Sequence, residues 1–319
     1  MGTSESKRIV VAAFCSALAL VAVGCRPAPA RASGDTTMTV ESEGMSRQYV
    51  IHRPAHAPAG PLPAVLIFHG GGGTPESMVT ATHFDTLADA QGFLAVYPAG
   101  ADRSWNDGRG ADTKAGAAGH DDIAFVSTLI DHLVANDGVD AARVYATGIS
   151  NGGMLTEDLG CRLAGKLAAI APVSGPLPAA DESDCTPAYP LPVLEIHGTA
   201  DPIVSYTGGP VRVTSGHHGG PGTSAVLSVA DTQDFWRTRE SCGPVTTTAL
   251  PHQADDGTSV NVETSTCAAG SKVELYSVTG GGHTWPGGPQ YLPKAVVGPV
   301  SHQFDATQVI WQFFSAFHR

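Results

Sequence analysis

The sequence predicts an α/β fold: a mainly parallel central sheet with helices on both faces and no large cap domain. Three observations predict it. Short apolar runs rich in β-formers alternate along the chain with segments of helical periodicity. The links between them are short, so successive strands run parallel and are joined by helical crossovers. The 38 glycines and 23 prolines among 319 residues mark tight turns at strand ends rather than disorder, because 42% of the chain is hydrophobic.

The elements follow in order. Residues 48–52 and 64–68 read as strands, 75–90 as one helix and 93–97 (FLAVY) as a strand. Residues 121–135 place Ile123, Val126, Leu129, Ile130 and Leu133 on one helix face. Asp121 and Asp122 open that helix, where carboxylates cap free N–H groups and favour the helix dipole. Residues 144–147 form a strand, followed by a helix to about Leu163, and 167–173, 193–197 and 273–278 supply further inner strands. A last helix, 305–317, carries Val309, Ile310, Phe313 and Phe314. Between Val173 and Val193 there is no insertion long enough for a helical cap, so an open cleft is expected. No internal repeat is evident.

The N-terminal residues read as an export signal. Lys7 and Arg8 precede an apolar stretch, residues 9–23, that is too short for a spanning helix. It ends in Ala22-Val23-Gly24-Cys25, a lipoprotein-type signal with Cys25 as the lipidated residue. The expected organisation is therefore signal peptide 1–24, flexible tether 25–40 and catalytic domain 41–319. This makes the protein secreted or anchored at the cell surface, touching membrane only through the lipid on Cys25. Export makes disulfides the expected state of Cys161, Cys185, Cys242 and Cys267. Three pairings are possible, and proximity favours Cys161–Cys185 with Cys242–Cys267. No C-x-x-C or close Cys/His spacing indicates a metal.

Three strand-then-glycine turns carry reactive side chains. Residues 144–153, VYATGISNGG, contain the G-x-S-x-G pattern around Ser150. Such a strand-to-helix turn lifts a serine hydroxyl into the open, and its glycines permit the sharp bend. Residues 193–201 run from a strand into Asp201, and residues 273–283 from a strand through three glycines into His283. Ser, Asp, His is the chain order of an α/β-hydrolase triad. His283 would take the Ser150 proton and return it to a leaving alcohol, with Asp201 orienting the imidazole. The N–H of Asn151 and one from Gly70 or Gly71, in LIFHGGGGT, would bind the oxyanion, each worth on the order of 3 kcal/mol. Trp285, Trp105 and Thr199 are placed at the substrate rim. This acyl-enzyme chemistry needs no cofactor.

These stretches resemble the secreted poly(3-hydroxybutyrate) depolymerase and feruloyl esterase family of α/β-hydrolases. The likeness rests on LIFHGGGGT, YPAG with SWNDGRG, HDDIAFV, RVYATGISNGGM, APVSG, HGTADPIVSY, GGGHTWPGG and DATQVIWQFF, from Leu66 to Phe314. It implies the α/β-hydrolase fold and Ser150, Asp201 and His283 as the triad. It also implies esters of hydroxy or hydroxycinnamic acids as substrates. Polyester oligomers lead, with feruloyl or acetyl xylan esters as the alternative. Polymer-degrading members often carry a separate polymer-binding domain, for which the chain leaves no room. An acyltransferase of the envelope and a non-catalytic surface binding protein rank lower.

Charge and the remaining histidines fit this reading. The net charge of −12, with no basic cluster, excludes nucleic acid as a partner. A monomer is expected. His69 and His197 flank strand ends and are read as loop holders, and His217 and His218 as part of a solvated Gly-rich loop. His252, His302 and His318 lack the strand-then-glycine setting, and Asp255 and Asp256 form a DDG turn.

Overall fold

The structure, a computed structural model, describes residues 1–2, 34–212 and 225–319. The expected signal peptide beyond residue 2, Cys25, most of the tether, and His217 and His218 lie outside the described residues. The chain divides into two units, and the second, Ser33–Arg319, carries all of the described elements.

Among the described residues, twelve strands and eight α-helices alternate. The first half contains β1 (Gly34–Ser42), β2 (Met45–Arg53), β3 (Leu62–Phe68), α1 (Pro75–Thr82), α2 (Phe84–Gln91) and β4 (Leu94–Pro98). It continues with α3 (Lys114–Ala117), α4 (Asp122–Asn136), β5 (Val139–Ile149), α5 (Asn151–Leu163) and β6 (Ala169–Val173). Then come β7 (Val193–Gly198), β8 (Gly209–Pro210), β9 (Ala225–Val226), α6 (Val229–Arg239), β10 (Thr246–Ala249) and β11 (Ser259–Thr266). β12 (Lys272–Thr279), α7 (Lys294–Val297) and α8 (Ala306–Phe314) complete the chain.

Ten strands form one sheet in the order β1-β2-β4-β3-β5-β6-β7-β12-β11-β10. The inner six, β4 to β12, are parallel, and antiparallel pairs extend both edges. Strand periodicity sorts the core into two faces. Leu62, Ala64, Leu66 and Phe68 of β3 join Phe125, Leu129, Leu155 and Trp236 on the side of α4, α5 and α6. Val65 and Ile67 point the other way, to Met78, Phe84, Ile310 and Phe314 of α1, α2 and α8. The doubly covered sheet is the architecture expected from the sequence.

Two details differ from expectation. The single helix over 75–90 is two, because His83 takes a left-handed conformation (φ 55°) that closes α1 and opens α2. Residues 34–40, assigned to the tether, instead form β1 and pair along the whole of β2. Glu43 and Gly44, both at positive φ, make the two-residue turn that sets this hairpin register. Both disulfides form as proximity suggested, Cys161–Cys185 and Cys242–Cys267.

Candidate active site

Ser150 stands between β5 and α5 with φ 60° and ψ −122°, a strained conformation for a residue with a Cβ. Its surroundings impose the strain. A Cβ on Gly148 would lie 2.5 Å from Gly152 O, and one on Gly152 would lie 2.4 Å from Phe68 O. Only glycine fits either place, so the turn is held tightly against β3. The Ser150 N–H donates to Val173 O at 2.9 Å, which fixes the turn to β6 as well.

The glycine loop after β3 lies alongside. A Cβ on Gly70 would sit 3.4 Å from Ser150 Cβ, and one on Gly71 would sit 3.8 Å from Asn151 Cβ. The N–H of Gly72 donates to Arg103 O and that of Gly73 to Gly70 O. Among the described residues, the N–H groups of Gly70, Gly71 and Asn151 have no hydrogen-bond partner. Donors are thus left unspent next to the serine.

His69 holds this loop as expected. Its Nδ1 donates to Gly70 O at 2.8 Å, and its Nε2 accepts the Gly100 N–H at 3.0 Å. That pattern requires a neutral ring, and burial lowers the His69 pKa in the same sense.

Asp201 and His283 meet across the loops that leave β7 and β12. His283 Nδ1 lies 2.7 Å from Asp201 Oδ2, and the other carboxylate oxygen accepts the N–H groups of Ile203 and Val204 at 2.8 and 2.9 Å. Burial alone would raise the Asp201 pKa. The hydrogen bond and charge of His283, the charge of His197 and the Val204 N–H outweigh it, and the pKa falls below the usual value. Among the described residues, neither His283 Nε2 nor Ser150 Oγ has a hydrogen-bond partner. The base loop is anchored separately, since the His283 N–H donates to Val297 O at 2.6 Å and the Tyr291 hydroxyl donates to His283 O at 3.1 Å.

The profile of the family described as Esterase PHB depolymerase matches residues 47–229, more than half of the chain. The chain belongs to this esterase family. It is 32% identical over 297 residues to the esterase-like protein NocK of Nocardia uniformis subsp. tsuyamanensis, covering 90% of this chain and 85% of that one. It is 36% identical over 166 residues to the bifunctional acetylxylan esterase/xylanase XynS20E of Neocallimastix patriciarum, covering 51% of this chain and 23% of that one. In fold it is similar to an acetyl xylan esterase from Aspergillus awamori (TM-score 0.55, 17% identity), covering 78% of this chain and 94% of that one. The protein is a serine esterase of α/β-hydrolase fold. Its two disulfides place it in an oxidising, extracytoplasmic compartment.

Two of the three residues expected at the esterase rim, Trp105 and Trp285, are buried and not free to contact substrate. Trp105 is fully buried, with its indole N–H donating to His69 O at 2.8 Å and its ring against Phe68 and Phe125. Trp285 is buried against Phe84 and donates to Thr307 Oγ1 at 3.0 Å, tying the base loop to α8. Thr199 Oγ1 accepts the Gly280 N–H at 3.0 Å, binding the acid loop to the base loop. The two tryptophans are supports of the site, whereas Thr199 joins the two loops and stays exposed.

Sequence reasoning missed the residues that clamp Asn151. Its side-chain Nδ2 donates to Asp107 Oδ2 at 2.5 Å and to Trp105 O at 3.0 Å, and its Oδ1 accepts the Trp105 N–H at 2.8 Å. Asp107 in turn pairs with buried Arg109. Asp121 caps α4 by accepting the Ala124 N–H, but Asp122 is buried, pairs with Arg47 and accepts the Asn106 N–H at 2.7 Å. The spacing of polar residues in SWNDGRG was the available signal. Among the described residues, one group could offer ligand atoms to a metal, Asp35, His52 and Asp85. It lies by β1, β2 and α2, and its atoms are engaged with one another and with Asp89 and Tyr97.

Proposed function

We propose that the protein hydrolyses carboxylic esters through Ser150, Asp201 and His283. The observation that carries this reading is the Asp201–His283 hydrogen bond on loops leaving parallel strands, with Ser150 on a strained elbow in the same sheet. Ser150 Oγ attacks the acyl carbon and its proton passes to His283 Nε2. The oxyanion is bound by the N–H of Asn151 and one from Gly70 or Gly71. The intermediate collapses, the alcohol leaves with the proton from His283, and an acyl-enzyme remains. Water, deprotonated by His283, attacks that ester; the acid departs and Ser150 recovers its proton. Asp201 stays ionised throughout.

The substrate reading follows the surface beside His283. Tyr291, Leu292 and Val296 expose 48%, 44% and 38% of their area on the segment hydrogen-bonded to His283. Exposed apolar side chains at such a lip favour an apolar acyl chain or ester oligomer, so a hydroxyalkanoate polyester or its oligomers lead. The xylan esterase names among the relatives support feruloyl or acetyl xylan esters as the second reading. The lipoprotein-type signal Ala22-Val23-Gly24-Cys25 supports export with a lipid anchor on Cys25. Hydrolysis of 3-hydroxybutyrate oligomers, methyl ferulate, acetylated xylan and p-nitrophenyl esters, with Ser150→Ala as blank, tests the proposal. Selective oligomer cleavage supports the first reading and selective ferulate or xylan cleavage the second. Full activity of Ser150→Ala overturns both.

A further inference from the structure

Next to Asp201, whose Oδ2 is approached by both His283 and His197, lies a fully buried polar cluster. Glu195 and His197 are two apart on β7, so they share a face, and both have zero exposure. His197 Nε2 is 2.9 Å from Val204 O and 3.6 Å from Asp201 Oδ2. His197 Nδ1 is 3.6 Å from Glu195 Oε1. From α6, Gln233 Nε2 donates to Glu195 Oε2 at 3.0 Å, and Trp236 Nε1 donates to Glu157 Oε2 of α5 at 2.7 Å. Tyr206 stands edge-on to the His197 ring at 5.7 Å, with the Arg237–Glu263 pair beyond it.

Donor and acceptor inventory fixes the proton count. A carbonyl only accepts, so His197 Nε2 must carry a proton toward Val204 O. On the other side, Nδ1 lies 3.6 Å from Glu195 Oε1, and among the described residues neither atom has a hydrogen-bond partner. Two buried lone pairs facing each other are unfavourable, which favours a proton between them. Held on Nδ1, it makes His197 an imidazolium between two carboxylates, Glu195 and Asp201. The third acid of the cluster, Glu157, is pushed toward its neutral form, because burial and then the neighbouring Glu195 raise its pKa well above the usual value. His197 is shifted upward by its two carboxylates and by the Val204 carbonyl, despite the opposing effect of burial.

We propose that Glu195 and His197 extend the Asp201–His283 pair into a buried chain of alternating charge, Glu195⁻, His197⁺, Asp201⁻, His283. His197 is a positioning residue. Its charge offsets Glu195, so that the base senses one carboxylate and not two, and it fixes the acid loop through Val204. The proposal rests on the reading of Ser150, Asp201 and His283 as the triad.

The test is the pH profile of kcat/KM on a p-nitrophenyl ester for the wild type, His197→Gln and the double variant Glu195→Gln with His197→Gln. Removing the imidazolium leaves Glu195 uncompensated near Asp201, which stabilises protonated His283. The acidic limb of His197→Gln then moves up by about one pH unit, and in the double variant it returns to the wild-type position. An unmoved limb, or the same limb in both variants, overturns the proposal. If His197→Gln does not fold, nitrogen-15 NMR of the wild-type histidines decides. Two ring N–H protons on the imidazole in contact with Tyr206 at pH 7 support the charged chain, and a single one overturns it. Ser150→Ala in the same assay separates the two readings: if it stays active the triad itself falls, whereas if it is inactive and the limb is unmoved only the chain falls.

Discussion

The carboxylate of Asp107 grips the side-chain amide of Asn151, the residue after Ser150, at 2.5 Å inside the fold. The backbone N–H of Asn151 is aimed by its side chain, not by α5 alone. Asp107→Asn keeps the shape but exchanges a charge-assisted bond for a weak one and leaves Arg109 without its counter-ion. The expected result is a drop in kcat of about 10- to 100-fold with KM nearly unchanged, since the oxyanion forms only after binding. Steady-state kinetics check it. A rise in KM alone would show that the clamp serves substrate binding instead.

Buried acids set the pH dependence of stability. Burial, and then the neighbouring Asp181, raise the Asp158 pKa to about 7 against the pull of Arg162, and burial raises Glu157 well above its usual value. The folded protein therefore keeps protons that the unfolded chain releases near pH 4, and stability falls as pH rises from there toward 7. Asp201 and Asp256 are held low, so their contribution is present above pH 4 and lost as pH falls through their folded values. The melting midpoint is expected to peak at about pH 5, which a thermal series across pH 3–9 measures. Glu157→Gln mimics the protonated acid and should flatten the decline between pH 5 and 8.

The apolar lip gives a substrate-dependent signature. Leu292→Ser combined with Val296→Ser removes exposed apolar surface and barely touches stability. For hydroxybutyrate oligomers, kcat/KM should fall about 3- to 30-fold, corresponding to roughly 1–2 kcal/mol of lost contact. A p-nitrophenyl acetate control should change less than twofold. Equal losses on both substrates would remove the lip from substrate recognition.

The Cys161–Cys185 bridge closes a loop of sequence separation 24 between α5 and the turn after β6. Replacing both cysteines by serine should lower the unfolding free energy by about 3 kcal/mol, read by urea titration. The effect on kcat should be small, because Ser150 is fixed by β3 and β6 and not by the bridge.

The strands and reactive turns were legible because each obeys a local rule: an apolar run, then glycine, then Ser150, Asp201 or His283. What was not legible depends on partners far along the chain. Trp105 and Trp285 read as rim aromatics because their indole N–H acceptors, His69 O and Thr307 Oγ1, cannot be seen from flanking residues. His83 breaks a helix that periodicity joined, since a left-handed residue leaves no mark on the apolar pattern. β1 escaped notice as a largely exposed edge strand without a clear alternation. The Glu195–His197 cluster did leave a trace, two polar residues at strand spacing within VLEIH, where every side chain is buried.

The sheet order divides the machinery between two stretches of chain. The serine and the oxyanion loop belong to β3 and β5, the acid and base to β7 and β12, and the two groups join where β6 lies against β7. α8 touches both groups: Phe314 stacks on Tyr145 of β5 at 4.8 Å, and Thr307 accepts the indole N–H of Trp285 in the base loop at 3.0 Å. α8 is thus a brace shared by the two halves, resting on the serine side through Phe314 and on the base side through Thr307. Neither half alone holds a complete catalytic set, so loosening α8 would part nucleophile from base without breaking a bond in either.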